Sequence, residues 1–171
     1  LEVLYRRRGY PDVQVDTVIR TIHPAVIEVT FRIREGQPLR VATRTLAGRE
    51  AAPEIEQASR DFPLAPGSIF DRGALESGRD SLVRRLRNLG WPQAEALLAY
   101  TTNSDTHTAV VEVSIVPGTR ARMGEIKIVT DYPEWGGVSE AELRRTLTLV
   151  AGKWYCARAI CAALCVSDQT H

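Results

Sequence analysis

One stretch, 69–96, reads as an amphipathic helix, a sharp stop and the start of a strand, and apolar residues recur at strand spacing on either side of it. Leu75, Leu82, Leu86 and Leu89 fall on one helical face, with Gly78 on the same stripe. Asp71 is placed to cap the first turn, and Arg84, Arg85 and Arg87 stand near the end, where the helix dipole favours cations. Asp80 and Arg84 are spaced for an i,i+4 ion pair. Gly90 ends the helix, because glycine takes the left-handed conformation there without a steric penalty. Glycine inside a helix costs about 1 kcal/mol against alanine, so something is expected to pack closely on Gly78.

Before this helix, residues 1–8 read as the end of another one, stopped by Gly9. Val13, Val15 and Ile19 follow in extended chain. Ile27, Val29, Phe31 and Ile33 then alternate with polar neighbours, the pattern of a half-buried strand turned by Glu35-Gly36. Val41 to Ala47 is a weaker strand, and Pro53 to Phe62 a short helix with proline in its first turn. After Gly90 come a strand at about Ala94 to Thr102, a polar turn at Asn103-Ser104-Asp105, and a second strand alternating Ala109, Val111, Val113 and Ile115. Pro117-Gly118 turns the chain into a strand at Met123 to Val129. Ser139 with Glu142 forms a capping box for a last helix whose apolar face is Leu143, Leu147 and Val150.

This order repeats. Gly9-Tyr10-Pro11 recurs as Gly90-Trp91-Pro92, an offset of 81. Ile27, Val29, Phe31, Ile33 and Gly36 recur as Ala109, Val111, Val113, Ile115 and Gly118, an offset of 82, and 67–70 recurs as 152–155, an offset of 85. The unit is strand, helix, helix, strand, strand: an α+β fold in which two helices pack on one face of a small sheet. Residues 1–37 are expected to be the second half of one unit, 38–118 a complete unit, and 119–171 the first part of a third. Units of this size bury modest cores, so neighbours should lean on one another.

Composition changes the picture little. The chain has 171 residues, 44% hydrophobic and 25% charged, as ordinary globular proteins do. A net charge of +1 provides no global field to draw in nucleic acid or anionic membrane. No apolar run approaches the roughly 18 residues of a membrane helix. Leu1 opens directly into what reads as mid-helix, so a fragment is expected, with any targeting segment upstream. The three cysteines, Cys156, Cys161 and Cys165, crowd the C-terminal end.

With the repeat in view, the chain resembles the POTRA repeats of the BamA/TamA family, the outer-membrane β-barrel assembly factors of Gram-negative bacteria. Phe70, Gly73, Leu75, Leu82, the Leu89-Gly90-Trp91 junction, the strand Val110 to Val116, Pro117-Gly118 and Arg122 to Ile126 carry the resemblance. Tyr5, Gly9-Tyr10, Val29 to Ile33, Glu35-Gly36 and Val41 carry it in the earlier copy. It implies βααββ units, each a three-stranded mixed sheet with two helices on one face. It also implies a periplasmic location, tethered to the outer membrane through a C-terminal barrel outside this chain. The partners implied are unfolded outer-membrane β-barrel proteins, accessory assembly proteins and the parent's own barrel. The tail 156–171 departs from the pattern, since a second amphipathic helix is expected there and only Ile160 and Leu164 are large and helix-spaced.

Candidate chemistry is sparse. Cys-x4-Cys-x3-Cys is not a common zinc spacing, with or without His171. His23 and His107 have no nucleophile beside them in sequence. Asp131 and Glu134 lie beside Trp135-Gly136-Gly137, which reads as a connecting loop. There is no phosphate-binding glycine loop. No cofactor, metal or catalysis is expected. The clusters at Arg6 to Arg8 and Arg84 to Arg87 are explained by helix ends. A KH-like nucleic-acid module would need a GXXG loop between its first two helices, and Pro63 to Phe70 has none. The remaining alternative is a purely structural spacer. The expected binding feature is instead a sheet edge: Ala96, Leu97, Leu98, Ala99 and Tyr100 carry neither charge nor proline, the devices that usually block strand addition.

Overall fold

The computed structural model describes residues 1–129, 139–147 and 149–164. Asp131, Glu134, Trp135 to Gly137, Cys165 and His171 lie outside them. Helix α1, Glu2–Arg7, leads into strands β1, Gln14–His23, and β2, Val26–Arg34, which form a two-stranded antiparallel ribbon. The middle unit comes next, with β3, Arg40–Ala47, a single 3-10 turn at Arg49–Ala51, α2, Pro53–Ser59, and α3, Arg72–Asn88. Strands β4, Glu95–Asn103, and β5, Thr108–Val116, complete it. Beyond lie α4, Glu140–Thr146, and α5, Ala157–Leu164.

The middle sheet has the order β3-β5-β4, with β3 parallel and β4 antiparallel to the central β5. Its inner face, Val41 with Ala109, Val111, Val113 and Ile115, is buried under Ile55 of α2 and Leu75, Leu82 and Leu86 of α3. The alternation of β5 is complete, every second residue being buried. Burying such aliphatic side chains contributes roughly 1.5–3 kcal/mol each, against the entropy of ordering the chain.

Local chemistry accounts for α3. The Asp71 carboxylate accepts from the amide of Ala74 at 3.0 Å, so the predicted cap is present. A Cβ on Gly78 would lie 2.5 Å from Cγ and 2.6 Å from Cδ of Pro63, which is the close approach anticipated there. Leu89 departs from expectation. It stands at the C-cap and is 37% exposed, because the helix has already ended. Asp80 pairs with Arg79 at 2.8 Å rather than with Arg84.

Other corrections concern the flanking parts. β2 is exposed along its whole length, not half-buried, because among the described residues no helix lies across either face of the ribbon. Helix α2 stops at Ser59, short of Phe62, which is buried beyond the helix end. Residues 123–129 form no strand. Only an isolated bridge, Arg122 to Trp154, stands there, since no described strand runs alongside as β5 does for β3. Val150 lies beyond the end of α4 and is exposed. His107 adopts φ 51° in the turn, and β5 begins after it.

Candidate functional site

Two features stand out as surfaces for work: the junctions between units and the free edge of the middle sheet. The junctions are built from the same bonds twice. Ahead of β3, the Leu39 amide donates to the Gly9 carbonyl at 2.7 Å and the Phe70 amide to the Leu39 carbonyl at 2.9 Å. One unit later, the Ala121 amide donates to the Gly90 carbonyl at 2.8 Å and the Tyr155 amide to the Ala121 carbonyl at 2.9 Å. Val41 exchanges bonds with Ser68 and Gly67 as Met123 does with Lys153 and Gly152. The side chains repeat the pattern of the backbone: Arg40 Nη1 donates to the Gly67 carbonyl and Arg122 Nη1 to the Gly152 carbonyl, each at 2.9 Å.

Gly9 and Gly90 make this possible, at φ 92° and 110°. Side chains rarely tolerate such values, and a Cβ on Gly9 would strike the Phe70 carbonyl oxygen at 2.1 Å. Tyr10 and Trp91 come directly after them. Trp91 is buried, whereas Tyr10 is half-buried with its ring edge-on to Tyr5, the centroids 5.9 Å apart. Gly36 and Gly118 leave the two hairpins at φ 74° and 69°, each against the side chain of the residue after the Tyr-Pro or Trp-Pro motif, Asp12 or Gln93.

The second junction carries a side-chain cluster that single-residue reasoning did not find. The Arg120 guanidinium lies 4.6 Å from the Trp91 ring centre and 4.0 Å from that of Trp154, and Arg122 stacks 3.9 Å from Trp154. Arg120 Nη1 also donates to Glu54 at 2.9 Å. The Glu54 carboxyl is held below its ordinary range by its own backbone amide first and then by this bond. Arg120 Nε is buried with no hydrogen-bond partner among the described residues. Nearby, the Asn88 side-chain oxygen accepts from the Arg158 amide at 2.9 Å and so ties the end of α3 to the start of α5. The repeats had marked Trp91 and Trp154 separately, but nothing in the sequence joined them to Arg120 or Glu54.

At the first junction the Glu76 carboxylate accepts from Arg72 Nε at 3.0 Å and from Arg7 Nη2 at 2.5 Å, which links α3 to α1. These bonds, that of Arg72 foremost, hold the Glu76 carboxyl below its ordinary range. His107 Nε2 sits 3.3 Å from the Asp12 carboxylate, and the His107 carbonyl accepts from the Arg40 amide at 2.8 Å. His23 is exposed. Among the described residues, no three His, Cys, Asp or Glu side chains gather into a group able to hold a metal.

The two edges of the middle sheet differ. On the β3 side, the loop 67–70 occupies the main-chain groups of Leu39 and Val41. The segment where a KH module would carry its phosphate-clamping loop is thus consumed in pairing. On the β4 side, no backbone group other than those of β5 bonds to the main chain of Glu95–Asn103 among the described residues. Ala96 is buried and Leu98 half-buried toward the core, whereas Leu97 and Ala99 are exposed. Tyr100 packs on Phe70, with centroids 5.1 Å apart, and remains 41% exposed.

No family model matches the chain. A curated relative is the outer membrane protein assembly factor BamA of Neisseria meningitidis serogroup B, 22% identical over 161 residues. That match takes in 88% of this chain, which spans 20% of the relative's length. Among solved structures, POTRA domains 3–5 of BamA from Haemophilus influenzae superpose with a TM-score of 0.52 at 19% identity, over 93% of this chain and 62% of that one. The fold is of the POTRA type. The N-terminal domain of Omp85 from Thermosynechococcus elongatus is a looser likeness, with a TM-score of 0.39 at 17% identity over 94% of this chain and 65% of that one. In POTRA terms the middle unit is a βααββ repeat, with β4 as the second strand in order and an outer one in space.

Proposed function

We propose that this chain is a run of POTRA repeats acting as a non-enzymatic periplasmic scaffold of an outer-membrane protein assembly factor. It binds extended polypeptide by adding a strand to β4. The observation that carries the reading is the open edge of β4, which has no main-chain neighbour beyond β5 along its whole length among the described residues, whereas the start of the β3 edge, Leu39 to Val41, is taken up by the loop 67–70. Main-chain hydrogen bonds serve many sequences, as a scaffold for varied clients requires. Residues 1–37 are the second half of one unit, 38–118 a complete unit, and 119–171 the first part of a third. The clients are unfolded outer-membrane β-barrel proteins or accessory assembly proteins. The tether is a membrane barrel in the parent protein.

An interface of one added strand is small, so affinity is expected in the range of about 10 μM to 1 mM. The test is a nuclear magnetic resonance titration of the chain with an unfolded β-barrel strand peptide. Amide shifts confined to Glu95–Asn103 and its neighbours support strand addition. Shifts elsewhere, or none at millimolar peptide, leave the repeats as a structural spacer.

A further inference from the structure

The boundary between β4 and α3 is not closed. A recess of about 810 Å³ opens at one end, bounded by Tyr100 and Thr102 of β4, Phe70, the first turns of α3, and α1, which contributes Arg6 and Arg7. A second, of about 570 Å³, opens at the other end, between Ala96 and Leu97 of β4 and the later turns of α3. A strand added to β4 would send every second side chain toward α3 and over these recesses, and the others outward beside Leu97 and Ala99.

The charge along this boundary is one-sided. Across the two linings arginines outnumber carboxylates six to three, in a chain whose net charge is only +1. Local pairing removes part of the excess, with Arg6 3.1 Å from Glu2 and Arg79 2.8 Å from Asp80, but not all of it. Glu76 is shared between Arg7 and Arg72. Arg84 donates only to the Ser81 hydroxyl, at 3.3 Å, and Arg87 to the Ala94 carbonyl, at 3.3 Å. Neither has a carboxylate within 4.0 Å among the described residues.

Resting on the strand-addition reading above, we propose that the β4 edge selects extended segments that alternate acidic and apolar side chains. The acidic ones face α3, between the Arg72 and Arg84 ends of the boundary. The apolar ones lie beside Leu97 and Ala99. Backbone pairing supplies the common part of the affinity, and the guanidiniums discriminate among clients by charge.

The experiment uses the whole chain, isotopically labelled, and three peptides of about nine residues, the length of β4. They share one apolar face and carry Glu, Gln or Lys at the alternate positions. The Glu peptide is expected to bind at least about fivefold more tightly than the Gln peptide, with the Lys peptide weakest. In about 0.5 M salt the three should converge. The double variant Arg72→Gln, Arg84→Gln should lose the preference for Glu while binding the Gln peptide as before. Equal affinities for the three peptides, with shifts still on β4, overturn the charge selection and leave strand addition intact. Undiminished preference in the double variant overturns the assignment to this boundary. No shifts with any peptide at millimolar concentration overturn strand addition and this proposal with it.

Discussion

The guanidinium of Arg120 lies 4.0 Å from the centre of the Trp154 ring, and the two residues approach from opposite sides of the second junction. Arg120 stands just after the β5 hairpin, and Trp154 just before α5. One side chain therefore couples the middle unit to the segment that carries α5. Arg120→Ala removes stacking on two indoles and the bond to Glu54, and is expected to cost about 1–2 kcal/mol. Arg120→Lys should recover only part of this, since an ammonium cannot offer a plane to both rings. Urea denaturation followed by tryptophan fluorescence reads both variants. An alanine variant as stable as the wild type would remove the coupling role.

Gly9→Ala and Gly90→Ala should differ although they occupy equivalent positions. Both force an alanine into positive φ, at a cost of at least ~1 kcal/mol. At Gly9 the new methyl meets a backbone oxygen, whereas at Gly90 it meets the flexible Arg120 side chain at 3.1 Å. The Gly9 variant should therefore be the less stable, with faster hydrogen exchange at the Leu39 and Phe70 amides. Equal denaturation midpoints would contradict this.

For Gly78→Ala two effects oppose each other. Helix propensity favours alanine by about 1 kcal/mol. Against it, the methyl would enter the ring of Pro63, and overpacking of this kind costs typically about 1–3 kcal/mol. The clash should win, giving a net loss of up to ~2 kcal/mol. A stabilised variant in thermal melting would show that the 63–67 loop yields freely.

Leu86→Ala and Leu89→Ala test the end of the apolar stripe. Leu86 is fully buried, and its truncation should cost about 2–5 kcal/mol. Leu89, at the exposed C-cap, should cost well under about 1 kcal/mol. Chemical denaturation of the two variants side by side decides it, and comparable losses would argue against this placement of Leu89.

The Glu76 bridge should be acid-labile. Its folded-state pKa is depressed, so its contribution is complete above the unfolded value of about 4.3 and is lost as pH falls through the lower folded value. The stability difference between wild type and Glu76→Gln should therefore be constant near neutrality and shrink below about pH 4. Thermal melts of both proteins from about pH 3 to about pH 7 give the comparison. A difference unchanged across that range would mean that the carboxylate charge contributes nothing there.

Much of the middle unit was legible because its determinants are local. Asp71 announces a cap, the spacing of Leu75, Leu82 and Leu86 a buried face, and the alternation along β5 a strand. The repeat itself supplied Gly9 and Gly90. Elsewhere a local pattern cannot report what lies beside it. Ile27 to Ile33 alternate as a half-buried strand should, yet burial requires a covering layer, and none stands among the described residues. Met123 to Val129 has strand composition but no strand alongside among the described residues. The Arg120 cluster joins residues 54, 91, 120 and 154, a proximity that only the assembled junction creates. The openness of the β4 edge belongs to the same class, because it depends on the sheet order, which places β5 between β3 and β4 and leaves β4 outermost.

The central place of β5 has a bearing on how the chain comes into being. It is the last strand of its unit to be synthesised, yet it separates β3 from β4. Until a ribosome has released it, β3 lacks its neighbour about seventy residues downstream, and β4 has nothing to pair with. The nascent unit therefore waits as two helices and two unpaired strands, with the same uncharged 96–100 segment uncovered. Insertion of β5 between its neighbours closes the sheet in a single late event.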